Sequence, residues 1–214
     1  DLADPYLQGV RDNFDLKRVV TSGIRVVVDS MFGAGAGYMD QLLAGEAIQL
    51  VTIRQEHNPS FPGIARPEPI PPYTDALGEA IQHTGASVGI VHDGDADRLG
   101  IIDENGNFID QLRVMSLLAY YLLEFSVPIG PIVRTVTTSS MLDRLGELYG
   151  VEVIETGVGM KYVAPKMLEV GAMMERPRRV NVIHGVRFQW NFIGCFVDLD
   201  EGGFLPVKIE SVLS

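Results

Sequence analysis

The sequence predicts an α/β fold: two tandem α/β/α domains with mixed, mainly parallel sheets. Three observations predict it. Apolar runs of strand length recur along the chain, at residues 24–28, 48–53, 87–91 and 132–136. Segments of helical periodicity separate them, the rhythm of parallel sheets covered on both faces. Glycine-rich turns, Gly33-Ala34-Gly35-Ala36-Gly37 and Gly157-Val158-Gly159, stand where a strand gives way to a helix.

The elements follow in order. Residues 4–13 read as a helical lead-in, and 24–28 as a buried strand ending at Asp29-Ser30. The turn at 33–37 opens a helix to about Leu43. Its spacing matches neither the dinucleotide fingerprint nor the P-loop, and no Lys-Ser/Thr follows, so a plain tight turn is expected rather than a phosphate cradle. Residues 48–53 form the next strand, and six prolines between 54 and 72 make an irregular loop. Thr74 is the expected N-cap of a helix reaching about Gln82. A strand at 87–91 precedes a hairpin of 99–103 and 108–109 about Glu104-Asn105-Gly106-Asn107. A boundary near Asp110 divides the chain into 1–110 and 111–214. The helix at 112–125 is apolar nearly all round and therefore largely covered. A strand at 132–136, an amphipathic helix at 140–149, a strand at 151–154 and a helix at 161–168 complete the second unit.

With 214 residues the chain has room for one large or two small domains. A net charge of −11 argues against nucleic acid and anionic membranes as partners. The longest apolar stretch, around 115–123, is too short to span a bilayer. Cys195 is the single cysteine, so no internal disulfide forms, which is compatible with a reducing cytoplasm. The opening Asp1-Leu2-Ala3-Asp4 is acidic and polar, unlike a signal peptide. The first residue is not methionine, and the chain is expected to be a piece of a longer protein.

The most informative stretch is Asp93-Gly94-Asp95-Ala96-Asp97-Arg98, which follows a buried strand. Two carboxylates at about 4 Å and an effective dielectric of about 20 repel by roughly 4 kcal/mol. A cluster of three therefore calls for a cation, and oxygen ligands favour a hard one, Mg²⁺ or Ca²⁺. Arg98 adds a fixed positive charge suited to a phosphate. A calcium loop of the EF-hand type would use Asp93, Asp95, Asp97 and Glu104, but it wants glycine where Arg98 stands, and helices where strands are expected. The remaining readings are a strand–loop–strand Mg²⁺ site beside a phosphate and a solvated acidic turn.

Val91-His92-Asp93-Gly94-Asp95-Ala96-Asp97-Arg98-Leu99 closely resembles the metal loop of the α-D-phosphohexomutases, the phosphoglucomutase and phosphomannomutase group. Asn58-Pro59-Ser60-Phe61-Pro62-Gly63 with Arg66-Pro67-Glu68-Pro69 is similar to the proline-rich stretch of that family's second domain. Thr135-Val136-Thr137-Thr138-Ser139-Ser140-Met141-Leu142-Asp143-Arg144-Leu145 and Glu155-Thr156-Gly157-Val158-Gly159-Met160-Lys161-Tyr162-Val163 resemble the core of its third. The resemblance runs from about Asp4 to about Met174. It implies an isomerase in which a phosphoserine on the first domain gives its phosphoryl group to a hexose phosphate, and the bisphosphate returns the other. On this resemblance Asp93, Asp95 and Asp97 hold Mg²⁺, and Arg98 steadies the phosphoryl group. Arg134 lies where the family often has a basic substrate contact, and Gly157 and Gly159 flank a turn that could approach the sugar.

Three departures accompany the likeness. The family's Ser-His-Asn-Pro nucleophile motif has only a decoy here, Glu56-His57-Asn58-Pro59, in the proline loop. The domain that carries the serine would precede Asp1, and the phosphate-binding fourth domain is also missing, so the chain alone is expected to be inactive. Residues 175–214 depart from the family pattern. Asp200-Glu201-Gly202-Gly203 echoes the sugar-binding loop late in that tail, which makes Glu201 a candidate sugar ligand. Two rivals are a non-catalytic metal- or phosphate-binding module and a Mg²⁺-dependent phosphatase with an aspartyl nucleophile. The second wants a threonine or lysine helper that is not evident.

Overall fold

The structure, a computed structural model, describes residues 3–13, 16–45, 47–125 and 130–170. Helices α1 (Ala3–Asn13) and α2 (Leu16–Val20) lead into β1 (Arg25–Asp29), α3 (Tyr38–Leu42), β2 (Gln49–Ile53) and α4 (Asp75–Thr84). Strands β3 (Val88–His92), β4 (Leu99–Asp103) and β5 (Phe108–Ile109) follow, then α5 (Gln111–Phe125), β6 (Ile132–Thr135), α6 (Met141–Tyr149), β7 (Val153–Thr156) and α7 (Met160–Glu169).

Five strands form one sheet in the order β2-β1-β3-β4-β5. β1 pairs in parallel with β2 and β3, with Val27 opposite Val51 and Gly89, and β4 returns antiparallel to β3. The central strand explains the two-sided burial. Val26, Val27 and Val28 are all buried, the near-continuous apolar run of a strand covered on both faces. Val27 points into a core with Leu77 and Ile81 of α4, Met31, Val91 and Ile102. Val26 and Val28 point the other way, onto Leu43 and Ile48. The mixed, mainly parallel sheet between helical layers is the expected architecture.

β6 and β7 pair in parallel, with Val133 opposite Ile154. Met115, Ala119, Leu122 and Leu123 of α5 meet Ile132, Leu142 and Leu145 on one side, while Val133 meets Val163 and Met167 of α7 on the other. The apolar α5 is covered as its composition requires.

Two local readings need correction, and the N-cap of α4 is where expected but is made without the side chain. α2 was not foreseen, because five residues are too few to show a helical period. β7 begins at Val153 rather than residue 151, because the Val151 N–H closes the end of α6 on the Gly146 carbonyl at 2.8 Å. Thr74 sits at the N-cap of α4 without a side-chain cap, and it is the Thr74 carbonyl that accepts from Leu77 and Gly78. Among the described residues no helix is long and apolar enough to cross a membrane.

Candidate metal centre

The acidic loop is a turn between β3 and its antiparallel neighbour β4. Strands on both flanks rule out the helix-flanked EF-hand geometry. The turn closes on itself, as the Asp93 N–H donates to the Arg98 carbonyl at 3.3 Å and the Ala96 N–H to the Asp93 carbonyl at 3.2 Å. Ala96 takes a left-handed φ of 61° to make it.

One carboxylate oxygen from each of Asp93, Asp95 and Asp97 lies within 4.8 Å of the others. Asp93 is fully buried, Asp97 is partly buried and Asp95 is exposed. Asp93 is pinned by Arg98, whose N–H reaches Oδ1 at 3.0 Å and whose Nε reaches Oδ2 at 2.6 Å. A carboxylate has about four acceptor sites, so beyond these two bonds and the hydrogen bond with Asp97 one remains for another ligand. Arg98 also lies 3.5 Å from Asp97 and 3.9 Å from Glu68. Burial works against the Arg98 charge, but Asp93, Asp97 and Glu68 outweigh it and hold its pKa above the ordinary value. Asp97 is pushed up to about 6, first by burial, then by its hydrogen bond to Asp93 and the charges of Asp93 and Asp95, with Arg98 pulling the other way. Three hard oxygen donors, excess negative charge and a carboxyl with a raised pKa fit a divalent cation such as Mg²⁺.

Beneath the loop, His92 keeps a lowered pKa because burial outweighs the charges of Asp93 and Asp29. Its Nδ1 is buried without a hydrogen-bond partner among the described residues. Asp29 is fully buried and receives both Nε and Nη2 of Arg54, together with the Met31 N–H at 2.9 Å.

The other candidates lie apart from this loop in sequence. Arg134 on β6 binds Asp143 of α6 through Nε at 2.9 Å and Nη2 at 2.8 Å, and Glu155 of β7 through Nη1 at 2.6 Å. Two carboxylates thus engage it as a brace inside its own unit. Gly157 and Gly159 form the turn between β7 and α7, where Gly159 has φ 119° and its carbonyl accepts from Tyr162 and Val163. His57 is exposed in the proline loop, and the Asn58 N–H donates to the Phe32 carbonyl at 2.8 Å, a structural use of this segment. Glu201 lies outside the described residues, as does the whole tail from 175. Sequence reasoning missed two partners of the cluster: Glu68, quoted only as part of a proline motif, and the Gly33–Gly35 segment. The Ala34 N–H bonds Gly94 inside the acidic loop at 2.9 Å.

Fold and cluster place the chain among α/β/α proteins that present three carboxylates and an arginine on one β–β turn. Comparison with known proteins narrows this. Residues 4–106 match "Phosphoglucomutase/phosphomannomutase, alpha/beta/alpha domain II" and residues 110–174 match the corresponding domain III. The chain belongs to the phosphoglucomutase/phosphomannomutase family. It is 32% identical over 169 residues to a phosphoglucomutase/phosphomannomutase of Thermococcus kodakarensis, covering 79% of this chain and 37% of that protein. It is 36% identical over 177 residues to a protein of Pyrococcus furiosus named a probable phosphoglucosamine mutase, covering 80% and 37%. The chain thus spans little more than a third of these relatives. A solved phosphoglucomutase/phosphomannomutase family protein of Burkholderia thailandensis superposes with TM-score 0.69 at 27% identity, over 80% of this chain and 36% of that one. An N-acetylphosphoglucosamine mutase of Aspergillus fumigatus, solved with GlcNAc-6P and magnesium, shares the fold at 18% identity and TM-score 0.51, over 72% and 33%.

Proposed function

We propose that the chain is the middle portion of a phosphohexomutase, with 1–110 and 111–214 as its second and third domains. In this reading Asp93, Asp95 and Asp97 hold Mg²⁺ and Arg98 steadies the phosphoryl group in transit. The observation that carries it is the set of three carboxylate oxygens within 4.8 Å of one another, beside an arginine. The parent enzyme interconverts hexose 1- and 6-phosphates, of glucose or mannose, through a bisphosphate. Relatives named for phosphoglucosamine extend the candidate sugars to amino sugars.

Each residue has a stated task. Phosphoryl transfer spreads charge over equatorial oxygens, and preorganised positive charge lowers its barrier. A cation bound to the three aspartates supplies part of that charge. Arg98 supplies the rest from a fixed position, since Asp93 orients its guanidinium. Gly157 and Gly159 stand at the C-terminal end of a parallel strand, where open α/β sheets take their ligands, and there the backbone can approach a sugar closely. Arg134 acts first as a brace and reaches substrate only if Asp143 or Glu155 releases it. The single cysteine fits a cytoplasmic setting.

The test is calorimetric titration of the chain with Mg²⁺. Asp95→Asn should weaken binding by roughly tenfold or more, as loss of one charged ligand requires. It should leave the melting temperature unchanged or higher, since it also removes a repulsive charge from an exposed position. Unchanged Mg²⁺ affinity would remove the metal role.

A further inference from the structure

We propose that the glycine turn after β1 positions the aspartate loop, with Gly33 and Gly35 as positioning residues for Asp93, Asp95 and Asp97. The proposal rests on the reading of those aspartates as ligands of a divalent cation.

Gly94, between the first two aspartates, is held through both of its backbone polar groups. Its carbonyl accepts from the Ala34 N–H at 2.9 Å, and its N–H donates to the Pro67 carbonyl at 3.1 Å. The packing leaves no slack. A Cβ at Gly33 would stand 2.5 Å from the Gly94 oxygen and 2.9 Å from its Cα, and one at Gly35 would stand 3.0 Å from His92 Nδ1 and 3.1 Å from the Ala96 Cβ. On the opposite side a Cβ at Gly94 would meet Pro67 Cγ at 3.0 Å and the Phe61 ring at 3.2 Å. The loop backbone is therefore gripped between the glycine turn and the proline loop.

The gripping turn is itself fixed. Met31 and Phe32 take left-handed φ values of 46° and 60°, which bulky side chains adopt only when their surroundings hold them there. The Met31 N–H is bound by Asp29 at 2.9 Å, the Phe32 N–H by the Arg54 carbonyl at 2.8 Å, and the Gly33 N–H by the Ser30 carbonyl at 2.7 Å. The amides of 33 and 34 thus point into the fold and onto the aspartate loop, not outward to an anion. Three like charges drive their loop open, and a backbone held at Gly94 opposes them together with Arg98 when no cation is bound. The spacing of the carboxylates is then set by residues some sixty positions earlier in the chain.

Amide hydrogen exchange on the full metal-free chain, followed by Mg²⁺ titration, tests this. In Gly33→Ala the Gly94 and Arg98 amides should exchange at least ~10-fold faster, while the Val27 and Val91 amides of the sheet keep their rates. Mg²⁺ affinity should fall roughly 10–100-fold. Gly35→Ala, whose methyl group meets side-chain atoms only, should act in the same direction more mildly, and it decides the matter if Gly33→Ala does not fold. A variant that lowers the melting temperature but leaves loop exchange or Mg²⁺ affinity at wild-type values overturns the proposal. A wild-type chain that binds no Mg²⁺, with variants that still lose loop protection, overturns the metal reading and leaves the grip on Gly94 standing.

Discussion

Asp97 shows how the cluster behaves without a cation: it gives up its proton at a higher pH than an ordinary aspartate. Its pKa of about 6 lies above the ordinary 3.8, so the folded chain holds that proton more tightly than the unfolded one. The resulting stabilisation is fully present below about pH 4 and is lost as the pH rises through about 6. Asp97→Asn cannot titrate and isolates the effect. Without metal, the melting temperature of the wild type relative to this variant should fall between about pH 4 and about pH 6.5 and level off above it. Proton and cation compete for the same oxygens, so Mg²⁺ affinity of the wild type should rise over the same range. A pH-independent difference between the two proteins would remove the shared-proton account. At this scale the acids and Arg98 were legible because they lie within one short run of sequence. Glu68, Ala34 and the two carboxylates on Arg134 were not, because the topology brings them in from distant positions and no local pattern marks them.

Among the elements, the ends of β1 and β2 are tied by the Asp29–Arg54 pair, which also receives support from the Tyr73 carbonyl at 3.0 Å from Arg54 Nη2. Breaking a buried pair from one side leaves an uncompensated charge, so Arg54→Met should cost about 3–5 kcal/mol. The shift in urea midpoint would measure it. Adding Asp29→Asn should recover part of the loss, whereas strict additivity would mean the two side chains act separately. The strands were legible wherever burial on both faces left an unbroken apolar run, as in β1. They were less so where one residue serves two elements, as Val151 does between α6 and β7. α4 was read correctly in place, but its capping was not, since a threonine at an N-cap need not turn its hydroxyl inward.

As a whole molecule the chain covers about 37% of the length of the T. kodakarensis relative. Glu56 stands where the resembling motif has serine, so under the proposed reading the purified chain should give no mutase turnover on glucose 1-phosphate with Mg²⁺ and a trace of glucose 1,6-bisphosphate. Turnover would show that the residues here suffice. The family was legible because its motifs occur in order over 4–174, while residues 175–214 offered only the late echo at Asp200-Glu201-Gly202-Gly203. The placement of the acids on a single β–β turn has a further consequence, for the order of events in folding. Only six residues, 93–98, separate β3 from β4. Closing so short a loop is fast and entropically cheap compared with the crossovers that join β1 to β2 and β3. The three charges therefore meet as soon as that hairpin zips, and their repulsion taxes the transition state as well as the native state. A cation that quiets them should accelerate refolding, visible on the folding arm of a chevron taken in Mg²⁺, in addition to slowing unfolding.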